Sequence, residues 1–181
     1  MKIFDKKSIS GQALERARQE REMMSELDSP NIVKCQTAYE DDKMFVIVEE
    51  MMSADMRRVM EATNGAQMKE DHVRMLFYQM VLAVQYLHSH NIIHRDIKLD
   101  NFMVQQNKKG GFLEVKLSDL GLACVYDPAN PPSIKCGTIT NLAPEVLTRP
   151  HYDEKVDMWS LGIILFELLS GKEPYEYKDD K

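Results

Sequence analysis

Between Val156 and Leu169 the chain is apolar on nearly every side, and this segment restricts the fold more than any other. A helix without a polar face belongs in the middle of a folded unit, with other elements packed round it. A chain of 181 residues suits one domain or two small lobes that share an interface. Its 44% apolar, 29% charged and 8% aromatic residues are ordinary for a globular protein. The longest nearly unbroken apolar run, Leu161 to Phe166, stops at Glu167 and is far too short to span a bilayer. The opening residues Met1-Lys2-Ile3-Phe4-Asp5 lack the apolar region of a secretion signal.

Other elements follow from periodicity. Lys2 to Phe4 reads as the end of a strand. From about Ser8 to Leu27, Leu14, Ala17, Met24 and Leu27 recur at helical spacing. Glu20 falls on that stripe, where it either meets a cation inside or bends out to water. Spacing alone leaves both open. Asn31 to Tyr39 and Met44 to Glu49 read as strands joined at Glu40-Asp41-Asp42-Lys43. Asp71 is the expected cap of a long helix to about Ser89, with Leu76, Met80, Ala83 and Leu87 inward. Phe102 to Gln105 and Phe112 to Leu117 form a second hairpin across Asn107-Lys108-Lys109-Gly110-Gly111, and a Pro-, Gly- and Ser-containing loop runs from Cys124 to Thr140. Strands dominate before residue 50 and helices after it, which makes the fold class α+β.

A net charge of −6 gives no reason to expect nucleic acid or an anionic membrane as partner. Cys35, Cys124 and Cys136 have no metal-ligand spacing and read as reduced thiols of an intracellular, cytoplasmic protein, with the nucleus also open to it. The thirteen methionines read mostly as core filler.

The chemistry-bearing residues lie around His94-Arg95-Asp96-Ile97-Lys98-Leu99-Asp100-Asn101, between the long helix and the second hairpin. Asp119-Leu120-Gly121 stands at the far end of that hairpin. Because a hairpin returns its end to its start, Asp96, Asn101 and Asp119 can converge. Three oxygen-bearing side chains suit a hard cation such as Mg²⁺, which takes one or two carboxylates plus substrate phosphates.

These motifs resemble those of the eukaryotic-type protein kinase family. The first is similar to H-R-D-x-K-x-x-N, and Asp119-Leu120-Gly121 resembles D-F-G. Ala143-Pro144-Glu145 matches A-P-E. Asp157-Met158-Trp159-Ser160-Leu161-Gly162 resembles the start of the family's central helix, and Gly171-Lys172-Glu173-Pro174-Tyr175 the G-x-x-P-F after it. The resemblance covers essentially the whole chain and implies a two-lobed kinase-like fold, with residues 1–51 as part of the N-terminal lobe and 52–181 as part of the C-terminal lobe. It implies ATP and Mg²⁺ as cofactors and a protein substrate with a Ser or Thr acceptor. Asp96 and Lys98 are the implied catalytic residues, with Asn101 and Asp119 on the metal.

The same resemblance places Lys2 on the ATP phosphates, paired with Glu20, which lies ten residues before Pro30 of Ser29-Pro30-Asn31-Ile32-Val33. Val46-Ile47-Val48-Glu49-Glu50-Met51 resembles the hinge strand, so the Glu49 and Met51 backbones face adenine, Asp55 reaches the ribose and Met103 floors the pocket. Lys98 two residues after Asp96, and Gly137-Thr138 as part of G-T-P-x-Y, imply Ser/Thr specificity, with Thr138 bonding the catalytic aspartate. The hinge and helices are similar to the calcium/calmodulin-dependent branch. Arg95 implies a phosphorylated partner in the activation segment. Ile134 holds the nearest position and cannot be modified, so Ser133 is the candidate.

There are departures. Ile139 and Asn141 replace the Pro and Tyr of G-T-P-x-Y, Leu99 replaces a proline, and Leu120 replaces phenylalanine. No G-x-G-x-x-G precedes Lys2 and nothing follows Lys181, so the resemblance implies a domain truncated at both ends and inactive alone. Glu145 is then expected to be buried without its usual arginine, and Trp159, Ile163 and Phe166 to be partly bared. The rival reading is a pseudokinase that binds nucleotide or acts as a scaffold.

Overall fold

A computed structural model describes residues 1–62, 68–106 and 111–175. Strand β1 (Lys2–Asp5) is followed by helix α1 (Gly11–Glu26) and by the hairpin of β2 (Cys35–Glu40) and β3 (Met44–Glu49). These strands form one antiparallel sheet in the order β1-β3-β2, with Lys2 opposite Ile47. The central strand buries Phe45 and Ile47 against Ala17 of α1. Ser10 starts α1 by accepting a hydrogen bond from the Ala13 amide at 3.2 Å, as N-cap serines do. Its inward face carries Ala17, Glu20 and Met24. In this first part the one helix is as long as the three strands together, so strands do not dominate it.

The remainder contains β4 (Ala54–Asp55), α2 (Met56–Ala62), α3 (Glu70–Ser89), β5 (Ile92–Ile93), a 3-10 turn (Leu99–Asn101), β6 (Phe102–Gln106) and β7 (Phe112–Leu117). Then come β8 (Cys124–Val125), a second 3-10 turn (Ile139–Asn141), α4 (Pro144–Thr148) and α5 (Lys155–Ser170). Helix α2 and the two-residue strands β4, β5 and β8 are too short for a periodic signal. The turn between β6 and β7 falls at residues 107–110, outside the described residues. Asp71 is not the cap of α3: the helix starts at Glu70 after Lys69, and Asp71 sits in the first turn, where a carboxylate favours the helix dipole.

The main core lies between α3, α5 and the β6–β7 hairpin. Leu76, Met80, Ala83 and Leu87 are fully buried beside Phe102, Val104, Val115, Leu117, Leu161, Ile164 and Leu168. Each large side chain so placed contributes roughly 1.5–3 kcal/mol. Helix α5 is not enclosed on all sides. Trp159 is 38% and Phe166 48% exposed, while Ile163 is buried, against expectation for that residue. Glu145 is half-buried rather than buried, and no ion pair to it is present among the described residues.

The strand expected from Asn31 begins only at Cys35. Residues 31–33 run beside β7 instead: the Leu117 amide donates to the Asn31 carbonyl at 2.8 Å and the Val33 amide to the Leu117 carbonyl at 2.9 Å. Asn31 Nδ2 adds a bond to the Val115 carbonyl at 3.0 Å. Nearby, Lys116 donates to Glu50 at 2.7 Å, and Arg57 of α2 pairs with Glu167 of α5.

Candidate active site

The loop from His94 to Lys98 has no ladder of its own, and Asp157 of α5 holds it. This carboxylate is 1% exposed. Its Oδ2 accepts from the His94 amide and its Oδ1 from the Arg95 amide, each at 2.9 Å. His88 Nε2 lies 2.9 Å from Oδ2 as well. The buried His94 ring accepts the Asp96 amide on Nδ1 at 3.2 Å, so Nε2 carries the proton and donates to the Ser118 carbonyl at 3.2 Å. Arg95 and Asp119 adopt positive φ, 68° and 62°. Side-chain-bearing residues seldom hold that conformation unless their surroundings over-determine it.

Four contacts converge on the Asp96 carboxylate. Oδ1 accepts the Thr138 amide at 2.8 Å and its hydroxyl at 2.7 Å. Oδ2 receives the Lys98 ammonium at 2.9 Å and Asn101 Nδ2 at 3.3 Å. Lys98 also donates to Thr138 Oγ1 at 3.0 Å. Burial would raise the Asp96 pKa, but the hydrogen bonds from Lys98 and Thr138 outweigh it and hold the group below the usual carboxylate value. Gly137 makes this approach possible: at φ +108°, a Cβ there would lie 2.4 Å from the Arg95 carbonyl.

A second cluster surrounds Lys2. Its ammonium donates to Glu20 Oε1 at 2.5 Å and Asp119 Oδ1 at 2.9 Å, with Glu49 Oε1 at 3.9 Å. Glu20 turns inward and is 4% exposed. One cation thus faces three carboxylates. Burial alone would lower the Lys2 pKa, yet pairing with Glu20 and then Asp119 raises it. Burial pushes the Glu20 carboxyl up against the pull of Lys2, whereas for Asp119 the bond from Lys2 prevails over burial and lowers it. Glu49 Oε1 is buried and has no hydrogen-bond partner. Leu120, 2% exposed, packs with Met24 and Leu27 of the α1 stripe in the main core, where an apolar side chain of either shape can anchor the Asp119 backbone.

The donor set between the clusters fits a hard cation. Asn101 Nδ2 is committed to the Asp96 carbonyl at 2.8 Å, which leaves the amide oxygen as a ligand. Ser118 links this residue to Asp119 by donating its amide to the Asn101 carbonyl at 2.8 Å. Negative charge exceeds positive around Asp119. Two protein oxygens with the balance from phosphates match the way Mg²⁺ binds.

The remaining residues singled out from sequence are less tightly assembled. Met51 is 92% exposed. Asp55 accepts the Arg58 amide at 2.8 Å, and Met103 packs half-buried against the main core. Ser133 is exposed and makes no contact with Arg95, whose Nε donates to the Leu122 carbonyl at 2.6 Å and whose Nη1 donates to Tyr152 at 3.3 Å. Asp157 as the anchor of the loop was missed, although it sits in the motif that opens α5. The Glu49 side chain and Tyr152 were missed too, and neither carries a local signal.

Comparison with known proteins agrees with this geometry. Mouse serine/threonine-protein kinase SIK1 is 33% identical over 178 residues, 97% of this chain and 22% of that protein. The Aurora kinase of Yarrowia lipolytica is 34% identical over 97% of this chain and 46% of its own length. Serine/threonine-protein kinase PLK4 of Drosophila ananassae is 34% identical over 97% and 22%. The chain therefore spans less than half the length of each of these relatives. The protein kinase domain family matches residues 1–181 in full. By that match and these relatives, the chain belongs to the protein kinase domain family.

Proposed function

We propose that the protein transfers the γ-phosphoryl group of ATP to serine or threonine hydroxyls of protein substrates. The observation that carries this reading is the Asp96 carboxylate, ionised and fixed by Thr138, Lys98 and Asn101. The acceptor hydroxyl lies against Asp96, which orients its oxygen toward the γ-phosphorus and takes its proton as the new P–O bond forms and the bond to ADP breaks. A carboxylate with a depressed pKa is a weak base, so its main contribution is orientation. Lys98 offsets charge on the transferring group. Lys2, steadied by Glu20, holds the α- and β-phosphates. Asn101 and Asp119 hold Mg²⁺, which neutralises phosphate charge when bound.

Glu49 and Met51 offer backbone groups to adenine, Asp55 its carboxylate to the ribose, and Met103 an apolar floor. Residues 1–51 form the smaller lobe of this reading and 52–181 the larger. Thr138 serves the activation segment by tying it to Asp96. The three free cysteines accord with a cytoplasmic location. Transfer of ³²P from labelled ATP to a Ser/Thr peptide library by the full-length protein, beside a direct ATP-binding measurement, tests the proposal. Binding without transfer would replace it with a nucleotide-binding scaffold.

A further inference from the structure

Lys2 faces three carboxylates, and the proposed reaction employs the side chains of only two. The third, Glu49, is the last residue of β3. Lys2 stands opposite Ile47 in the sheet, and alternation along a strand puts Glu49 on the same face as Ile47. Its side chain is 14% exposed. Oε1 is buried and has no hydrogen-bond partner, although an unmade bond at a buried polar atom is costly. The Lys2 ammonium stands 3.9 Å from that oxygen, too far to donate. An ammonium has three N–H donors. Glu20 Oε1 and Asp119 Oδ1 each accept one here, at 2.5 and 2.9 Å.

We propose that Glu49 is a positioning residue for Lys2: its side chain accepts the N–H that Asp119 gives up on turning to the metal, and so keeps the ammonium aimed at the phosphates. The inference rests on the proposed function, in which Asp119 holds Mg²⁺ and Lys2 holds the α- and β-phosphates. Asp119 is the partner that can leave, because its side chain is 45% exposed while Glu20 is buried. A closure of about 1 Å then brings Lys2 Nζ to Glu49 Oε1 at ordinary hydrogen-bond length. Lys2 finds Glu20, Glu49 and a phosphate oxygen as acceptors for its three donors. Glu20 comes from α1 and Glu49 from β3, so the helix and the sheet grip the ammonium from two directions. Pairing with Cys35 of β2 steadies the Glu49 backbone, and the closing movement falls to the flexible lysine side chain. The exchange also gives the orphaned oxygen its donor at the moment the nucleotide arrives.

The test measures binding of Mg·ATP by calorimetry and of adenosine by ligand-observed NMR, in the full-length protein, in Glu49→Leu and in Glu49→Gln. Adenosine has no phosphate for Lys2 to hold. Glu49→Leu is expected to weaken Mg·ATP by about tenfold or more, the worth of a hydrogen bond to a charged group, and to leave adenosine within twofold. Glu49→Gln still offers Lys2 an oxygen and is expected to recover most of that loss. The leucine replaces a buried, unbonded oxygen with an apolar group, so the midpoint of thermal unfolding should not fall. Unchanged Mg·ATP affinity in Glu49→Leu would overturn the inference. Equal losses for the two ligands, or a lowered midpoint, would overturn it as well, by placing Glu49 on the base or in the fold alone. A parent protein that binds no Mg·ATP would bring down the reading of the site, and the inference with it.

Discussion

Thr138 gives both its amide and its hydroxyl to one oxygen of Asp96, at 2.8 and 2.7 Å. The end of the loop that follows β8 is thereby tied to the loop that carries the carboxylate. Thr138→Val keeps the amide bond and the shape while removing the hydroxyl. A hydrogen bond to a charged group is worth about 1.5–3 kcal/mol, so kcat should fall by roughly tenfold to a hundredfold. ATP affinity, measured by calorimetry, should stay within twofold.

Asp96→Asn keeps the size of the side chain and removes its charge. The expected loss in phosphotransfer is about 10²–10⁴-fold, the usual range for a positioned base, with nucleotide binding retained. Single-turnover kinetics in the full-length protein checks this, and a rate within twofold of the parent would remove Asp96 from its role.

Asp119→Ala acts on binding. It deletes the proposed metal ligand and one of the two hydrogen-bonding partners of Lys2. Affinity for Mg·ATP should drop, while ADP measured without magnesium should be affected much less. Equal losses with and without Mg²⁺ would assign Asp119 to Lys2 alone.

The pH dependence separates the two clusters. Asp96 and Asp119 lie below the usual 3.8 and stay ionised as pH falls, whereas Glu20 lies above 4.5 and takes up its proton first. Its raised folded pKa means that ionised Glu20 lowers stability at neutral pH, and protonation relieves this as pH falls through the folded value. The depressed aspartates contribute the opposite sign, with stability present above 3.8 and lost below their folded values. On acidification, KM for ATP should therefore rise before kcat falls. Glu20→Gln should abolish that early limb, and an unchanged limb in the variant would show that another group sets it.

Gly137→Ala tests the backbone. The new methyl would meet the Arg95 carbonyl at 2.4 Å in a positive-φ conformation. Such strain costs about 1–3 kcal/mol, so the midpoint of thermal unfolding should fall. An unchanged midpoint would mean that the contact relaxes without cost.

Legibility tracked the range of the signal. Leu76, Met80, Ala83 and Leu87 are readable because one helix face repeats within twenty residues. Asp96, Asn101 and Asp119 are readable because a hairpin links their motifs. Glu20 was ambiguous from spacing alone, since only a distant lysine decides whether a carboxylate can stay inside. Residues 31–33 include the β-branched Ile32 and Val33 that favour a strand, but sequence does not say that they lie along β7 instead of β3. The exposure of Trp159 was legible only through resemblance, and Ile163, expected to be partly bared, is buried.

The attachment of the His94–Arg95 peptide groups to Asp157 bears on timescale as well as shape. Loop amides ordinarily exchange their hydrogens with solvent through small local openings. These two can be released only by pulling a 1%-exposed carboxylate away from the loop or by unfolding α5. They should therefore exchange with deuterium as slowly as the interior of α3, at a rate set by global unfolding. The irregular segment around His94 and Arg95 would then count among the most slowly opening parts of the protein.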